Sequence, residues 1–432
     1  MIKKKKFNIA IVGLGNIGSY LYNYLKKNKE EITKKTNVIP HILYVSAKNR
    51  NKKRSIKVQR SKWLKNYLDA SKIKDVDIIV ELIGGSEGAA KKIVFSALKN
   101  KKHVVTANKA LIAKYGDQLA KIAEKNNVNL EFEAAVCGGV PIVRSLKEGL
   151  IANQIKKIYG IFNGTSNFIL TSMDKKKIQF KEALDEAKHL GYAESNPVSD
   201  LNGQDVADKL KILTALSFNS FINNKIIEVQ GIKDIDQTDI NNANILGYKI
   251  KSIGIAEILG NKIIQNVYPS LIKKNSALSN IDGVLNAVIV EGKPVGKSVI
   301  QGEGAGPKAT TSALISDISS ILRGNIKYPF TISNARRKNK VFKNINNEKF
   351  SSYLRIEVID KHGVLSDITK TLAKNKVSIK RLIQNPYKSK KYASIIIITH
   401  ESKNISLVKV IKALSKKKYI VKKPKFLRIE NI

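Results

Sequence analysis

Residues 191–213 read GYAESNPVSDLNGQDVADKLKIL and gather four carboxylates, Glu194, Asp200, Asp205 and Asp208, ahead of Lys209. With Asn202 capping a helix that starts near Gly203, Asp205 and Lys209 stand four residues apart on one face. Asp208 is then offset from Lys209 by about 100°. At this spacing the pair serves as an ordinary helix salt bridge. In a cleft it could do more: the carboxylate would orient a lysine to give up a proton, and the neighbouring acids would hold a cationic group.

A second group of residues suits a nucleotide. Gly13-x-Gly15-x-x-Gly18 follows the apolar run FNIAIV (7–12) and opens the amphipathic stretch SYLYNYLKKN. In such a strand–turn–helix the first glycine makes the turn, the second admits a pyrophosphate close to the backbone, and the third lets helix and strand approach. After the second strand the chain reads Ser46-Ala47-Lys48-Asn49-Arg50, with no acid to hold a ribose 2′-hydroxyl. NADP(H) is therefore favoured, with Lys48 and Arg50 near the 2′-phosphate and NAD(H) also admitted; a plain lysine-bearing surface loop reads the same way. TANKALIA puts Lys109 just past the carboxyl end of a strand, where parallel sheets bind ligands. In EFEAAVCGGV, a carboxylate stands beside a glycine-rich turn whose carbonyls suit a hard cation.

The elements that must position these residues come in three blocks. Apolar strands at 7–12, HILYVSA (41–47), VDIIVELIG (76–84), KHVVTA (102–107) and NLEFEAAV (129–136) alternate with helical segments such as 87–100 and 110–126. This predicts an α/β, doubly wound parallel sheet of Rossmann type over 1–136. From 137 to 304 the pattern is α+β, with strands at KKIYGIFNGTS and NKIIQNVYPSLI and helices near 180–190 and 203–217. A glycine turn and helix at about 305–330 return to the first domain. A polar stretch, 336–352, reads as a linker. Residues 353–432 then follow β-α-β-β-α-β order, the ferredoxin-like arrangement.

Composition narrows the function. The formal charge is +43, from 78 basic and 35 acidic residues. Only ten of the 78 are Arg, and the lysines are spread over every segment, so the charge reads as a solvated coat and not as a specific nucleic-acid surface. One cysteine, Cys137, leaves no internal disulfide, and the five histidines are scattered. The start MIKKKKFNIAIVGLG imitates a signal peptide but runs into GLGNIG instead of a cleavage site. With no apolar run of membrane-spanning length, a cytoplasmic protein that does not engage the membrane is expected.

Taken in order, GLGNIG, TANKALIA, FEAAVCGGVPI, GIFNGTSNFIL, GYAESNP, DLNGQDVADKLKIL and GEGAGPKATTSAL resemble the homoserine dehydrogenase family over nearly the whole chain. The tail LRIEVIDKHGVLSDITKTLA resembles an ACT domain, a small amino-acid-sensing module. The resemblance implies reversible NAD(P)H-dependent reduction of L-aspartate 4-semialdehyde to L-homoserine, on the route to threonine and methionine. No kinase segment precedes residue 7, so a monofunctional enzyme is implied.

Residue by residue, the resemblance assigns substrate binding to Glu194 and Asp205, proton donation to Lys209, and a place between cofactor and substrate to Lys109. It assigns cofactor contacts to Gly13, Gly15, Asn16, Ile17, Gly18, Gly191 and Gly306. A sodium ion would sit at Glu133 and the carbonyls of Val136, Gly138 and Val140, organising the domain junction. Threonine at the ACT domain and a homodimer or homotetramer are implied partners. Two departures stand out: Lys48 where relatives often carry Arg, and His362 where the ACT turn commonly has proline. The rival readings are a dehydrogenase for another amino acid, a catalytically silent NADP-binding sensor with the ACT domain as its output, and a lysine-based nucleic-acid binder. Retention of Lys109, Glu194, Asp205 and Lys209 weighs against the silent sensor.

Overall fold

The first apolar run forms β1 (Lys5–Val12), followed by β2 (Val38–Ser46), β3 (Ile78–Glu81), β4 (His103–Thr106) and β5 (Leu130–Glu131). The computed structural model describes residues 5–224, 228–386 and 391–432. Residues 1–4, the basic start that imitates a signal peptide, lie outside the described residues. The five strands pair in the order β2-β1-β3-β4-β5, all parallel.

Alternation along β1 divides the core. Ile9 and Ile11 pack with Leu21 and Leu25 of the helix Asn16–Lys27. On the other face, Ala10 and Val12 join Ile93 and Leu98 of the helix Ala89–Lys99 and Leu111 and Leu119 of the helix Lys109–Lys125. Both faces are covered, which a parallel sheet requires. Leu314, Ile318 and Ile321 of the helix Pro307–Leu322 complete the first face, so a segment nearly 300 residues downstream of β1 closes this layer.

Two expected strands end early. VDIIVELIG stops at Glu81 because its Oε1 accepts the N–H groups of Ile83 and Gly84 and curls the chain. NLEFEAAV is corrected from a strand over 129–136 to two residues of β5 and a 3₁₀ turn at Glu133–Ala135. There the Glu133 carboxylate accepts from the N–H groups of Val143 (3.0 Å) and Arg144 (2.6 Å), and the Glu133 N–H donates to Asp317 (2.9 Å). Those bonds satisfy backbone groups that a longer strand would have paired with a neighbour.

The second sheet contains β6 (Gln154–Ile161), β7 (Glu228–Val229), β8 (Tyr248–Leu259), β9 (Lys262–Lys273), β10 (Leu285–Lys293), β11 (Gly296–Glu303) and β12 (Val341–Phe342). It continues through β13 (Lys349–Ile359), β14 (Ile379–Pro386), β15 (Tyr392–Thr399) and β17 (Lys425–Glu430), with the short β16 (Ser402–Lys403) beside β13. Its order is β11-β10-β6-β8-β9-β17-β13-β15-β14, with β7 and β12 also on β9. The helices Val364–Lys374 and Asn404–Leu414 cover the C-terminal part, giving the expected βαββαβ order.

The two halves of this sheet are thus one hydrogen-bonded surface: β17 runs parallel to β9, pairing Arg428 with Ser270 and Glu430 with Ile272. The join is also ionic, since Arg355 and Lys425 bind Asp236 and Asp239 at the start of the helix Gln237–Ile245. Within 336–352, the polar stretch expected as a linker, Val341–Phe342 pairs with β9, Ile345 is buried, and the last four residues already belong to β13. Its polar side chains hide the pairing, which is made by the backbone. No helix among the described residues is long and apolar enough to cross a membrane.

Candidate active site

The central helix is Gln204–Phe218, and almost every side chain from Asp205 onward is buried. A helix apolar on all sides belongs inside, here against the helix Lys109–Lys125 on one side and β6, β8 and β9 on the other. Gly203, at φ +86°, begins it; a Cβ there would stand 3.0 Å from Val229. The cap therefore differs from the expectation: Gly203 occupies the cap position, and Asn202 contributes by accepting from the Gln204 N–H at 3.0 Å.

Asp205, Lys209 and Lys211 are the charged side chains this helix buries, and the structure makes the first two a pair. Lys209 Nζ donates to Asp205 Oδ2 (2.7 Å) and to the Phe162 carbonyl (2.7 Å). Lys109, from the parallel-sheet domain, reaches the other oxygen of Asp205 at 2.9 Å. One carboxylate therefore bridges lysines from two domains. Lys109 is held at its helix start by Asn108, which accepts from the Leu111 N–H and donates to the Gly85 carbonyl.

The surroundings set the charge states. Burial alone would raise the Asp205 pKa, but the Lys209 and Lys109 ammoniums overcome it and hold the carboxyl well below the usual range. Burial opposes charge on Lys209 too, yet the Asp205 charge and hydrogen bond prevail and raise its pKa. Lys209 is thus a buried ammonium fixed by its counterion. Burial, and next the Asp205 charge, raise the pKa of Asp200.

Two residues without an assigned role complete this network. The Asn163 side chain caps the helix Gly164–Lys176 through the Ser166 N–H and donates to both Asp200 Oδ1 (2.8 Å) and Asp205 Oδ2 (2.8 Å). Asn286 donates to the same Phe162 carbonyl that anchors Lys209, at 3.0 Å. Asn163 lies in GIFNGTS, where it could be read only as a cap, and Asp200 lies in the acidic stretch itself. Asn286 sits inside the apolar run of β10, where nothing in the sequence marks it. Glu194 is exposed in the turn before Pro197, a turn tied to the site by Thr165 Oγ1 donating to the Tyr192 carbonyl at 2.6 Å. Asp208 stands apart, bound to Gln204 and Lys211.

The glycine turn has the shape a nucleotide needs. A Cβ on Gly13 would lie 2.5 Å from the Leu82 carbonyl and one on Gly18 2.0 Å from the Gly13 carbonyl, while Gly15 faces open space. The following helix, with Asn16 and Ile17 first, has no side-chain cap and no acid in its first turn. Its leading N–H groups suit a pyrophosphate. Lys48 and Arg50 are exposed after β2, and Arg54, which the sequence did not single out, clamps their loop. Its guanidinium donates to the carbonyls of Leu14, Asn49 and Arg50, and Trp63 lies under both Arg50 and Arg54 at 5.4 Å. Gly191 (φ +74°) and Gly306 (φ +101°) occupy turns, the latter opening the helix Pro307–Leu322.

Below the site, Glu131, Glu133 and Asp317 are all buried and share Lys147 and Arg144. Burial pushes the Glu133 carboxyl up to about 7, against the N–H groups of Arg144 and Val143. Val136, Gly138 and Val140 line the following turn, in which the Val140 carbonyl accepts from the Ile142 N–H at 2.7 Å. The Glu133 carboxylate and the turn carbonyls are oxygen donors, the type a hard cation takes. The three acids are already answered by Lys147, Arg144 and backbone N–H groups, and no group of three acidic, His or Cys side chains placed to hold a metal is found among the described residues.

Comparison with known proteins agrees with this construction. A family model described as the NAD-binding domain of homoserine dehydrogenase matches residues 13–133, one described as homoserine dehydrogenase matches 141–319, and an ACT model matches 352–418. Homoserine dehydrogenase from Neisseria gonorrhoeae is 38% identical over 99% of both chains, and that from Helicobacter pylori is 37% identical over 99% of this chain and 100% of the relative. The crystal structure of a homoserine dehydrogenase from Thiobacillus denitrificans, 35% identical, superposes with a TM-score of 0.92 over 99% of this chain and 98% of that one. The S. aureus homoserine dehydrogenase at pH 7.5, 33% identical, gives 0.77 over the whole of both chains. The chain therefore belongs to the homoserine dehydrogenase family, oxidoreductases built here from an NAD-binding domain, a catalytic domain and a C-terminal ACT domain.

Proposed function

We propose that this chain reversibly reduces L-aspartate 4-semialdehyde to L-homoserine with NAD(P)H, and that Lys209 donates the proton. The observation that carries the assignment is the Lys109–Asp205–Lys209 bridge between the two domains. When bound, the reduced nicotinamide supplies a hydride to the aldehyde carbon. Lys209 has three N–H donors, and two are used on Asp205 and Phe162. The third is assigned to the aldehyde oxygen, where it delivers the proton that completes the alcohol. In reverse the neutral amine takes that proton back. Charge developing on the oxygen is stabilised by Lys209 and Lys109, an electrostatic contribution of about 3 kcal/mol.

Glu194 and Asp205 are the carboxylates proposed for the substrate ammonium, and Asp200 lies within the same hydrogen-bonded group. The test is oxidation of NADPH followed at 25 °C with L-aspartate 4-semialdehyde, repeated with NADH and with threonine. A folded, NADPH-binding protein that oxidises nothing would favour the silent sensor.

In this reading residues 1–136 with 305–330 hold the cofactor, 137–304 carry catalysis and dimerisation, and 353–432, joined by 336–352, sense an effector. Gly13, Gly15, Asn16, Ile17 and Gly18 cradle the pyrophosphate, with Lys109, Gly191 and Gly306 as further contacts. NADP(H) is preferred through Lys48 and Arg50; the absence of an acid after β2 and the Arg50–Trp63–Arg54 stack support this. Arg50→Ala is expected to raise KM for NADPH about tenfold and leave that for NADH unchanged, a charge-assisted hydrogen bond being worth about 1.5–3 kcal/mol. Equal changes for both cofactors would remove Arg50 from the phosphate site.

Glu133 with the carbonyls of Val136, Gly138 and Val140 is proposed to hold sodium. Melting in sodium chloride is expected above that in choline chloride at equal ionic strength, a difference absent in Glu133→Gln. Threonine is the proposed ACT effector; a cavity of about 610 Å³ beside Asp360–Leu365 offers it room. Assembly as a homodimer or homotetramer follows the family resemblance and is read by sedimentation.

A further inference from the structure

A second cavity, of about 240 Å³, lies where the catalytic half of the large sheet meets the ACT half. Its floor is one face of that sheet, with Lys157 of β6, Glu257 of β8, and Asn266 and Tyr268 of β9. Alternation along β9 puts Asn266 and Tyr268 on the cavity face, where both are nearly fully buried, and sends Ile263 and Val267 to the core on the opposite face. The walls are the chain entering the ACT domain, with Glu348 and Phe350, and the chain leaving it, with Glu430.

Two independent features mark this cavity. The first is charge: among the lining residues Glu257, Glu348, Glu401 and Glu430 stand against two lysines, Lys157 and Lys349, with Arg428 behind Tyr268 also acting on Glu430, in a protein with 78 basic and 35 acidic residues. The second is an unpaired donor. Asn266 is 2% exposed, and its Nδ2 is buried with no hydrogen-bond partner among the described residues. A buried amide in that state calls for an explanation, and a ligand acceptor supplies one. Glu430, also buried, accepts from the Tyr268 hydroxyl at 2.8 Å, and burial raises its pKa against the pull of Tyr268 and Lys157.

We propose that this seam binds a small α-amino acid, its ammonium between Glu257 and Glu430 and its carboxylate on Asn266 Nδ2 and Lys157. A zwitterion answers both the acid excess and the paired donors. A metal ion would face Lys157 and leave the Asn266 N–H groups unused, and no metal-binding group of carboxylates is found among the described residues. A plain anion would meet four carboxylates. The volume, below the roughly 300 Å³ at which drug-sized pockets begin, suits a molecule of this size.

The position gives such a ligand a route to the catalytic helix. Asn266 pairs with Glu228 of β7, Gln230 donates to the Val267 carbonyl at 2.8 Å, and Ile232 donates to the Leu201 carbonyl at 2.9 Å. Leu201 lies two residues before Gly203 and four before Asp205. The seam is separate from the ACT loop cavity at Asp360–Leu365.

The experiment is isothermal calorimetry of the full chain with L-serine, L-threonine and L-valine, which reads binding without turnover and so stands apart from the proposed reaction. At least one should bind the wild type, and Asn266→Leu and Glu257→Gln should each weaken a binding event tenfold or more while Asp360→Ala leaves that event intact. Neither seam residue belongs to the catalytic network, so turnover without added amino acid should be unchanged in both. If Asn266→Leu loses its melting transition, the half-buried Glu257→Gln carries the test. Failure of all three amino acids to bind the folded wild type, or binding that Asp360→Ala abolishes and the seam variants leave untouched, would overturn the proposal.

Discussion

Lys209→Ala is expected to lower kcat by about 10³-fold or more while leaving NADPH affinity within about twofold. The size follows from two losses at one atom. A positioned proton donor commonly contributes about 10²–10⁴, and in the proposed reaction the same ammonium would also stabilise the oxygen that becomes negative. Cofactor affinity should survive because the glycine turn and the loop after β2 lie on the other domain. Lys209→Arg is a useful companion. A guanidinium keeps the charge but is a poor proton donor at neutral pH, so it should recover folding without recovering the rate. An alanine variant that turns over as wild type, or one that no longer binds NADPH, would sink the role given to Lys209.

Asp205→Asn is expected to lower kcat by about 10²-fold or more and to cost about 3–5 kcal/mol of stability, the usual range for removing one partner of a buried ion pair. The amide leaves two lysines without their shared counterion, one of them buried. The pH profile separates this from simple loosening. In the wild type the Asp205 charge raises the Lys209 pKa above its ordinary value, so the acid form is lost only as pH rises through that raised value. Without Asp205, the burial effect that lowers this pKa is opposed only by the remaining pull of Cys137 and Asp200, and the fall in the reduction rate should move to lower pH. An unmoved alkaline limb would mean that Asp205 only packs.

The same pair links pH to stability from both sides. The raised pKa of Lys209 contributes stability that is fully present below about pH 10.4 and is lost as pH rises through the folded value. The depressed pKa of Asp205 contributes stability present above about pH 3.9 and lost as pH falls toward the folded value. At neutral pH both contributions are in force.

Local information made much of this legible in the residues. The glycine spacing 13, 15, 18 states a turn because a Cβ at 13 or 18 collides with backbone one turn or one strand away. Period-2 alternation in β1 and helical spacing in 16–27, 89–99 and 109–125 mark which faces are buried, since burial of apolar surface selects the period. The i, i+4 relation of Asp205 and Lys209 needs only a helix. What distinguishes a modest surface salt bridge from a buried ammonium held for chemistry is the environment, and that came from elements far apart in the chain. Lys109 arrives from another domain, the Phe162 carbonyl from the end of β6, and Asn286 from β10. Arg54 gains its place by reaching back 40 residues to Leu14. The joining of β17 to β9 is a backbone pairing without side-chain signature, so a sequence that announces two units cannot say that they share one sheet. Periodicity and turn chemistry are properties of neighbours along the chain, whereas the charge state of Lys209 depends on burial and on partners that only tertiary packing brings within 3 Å.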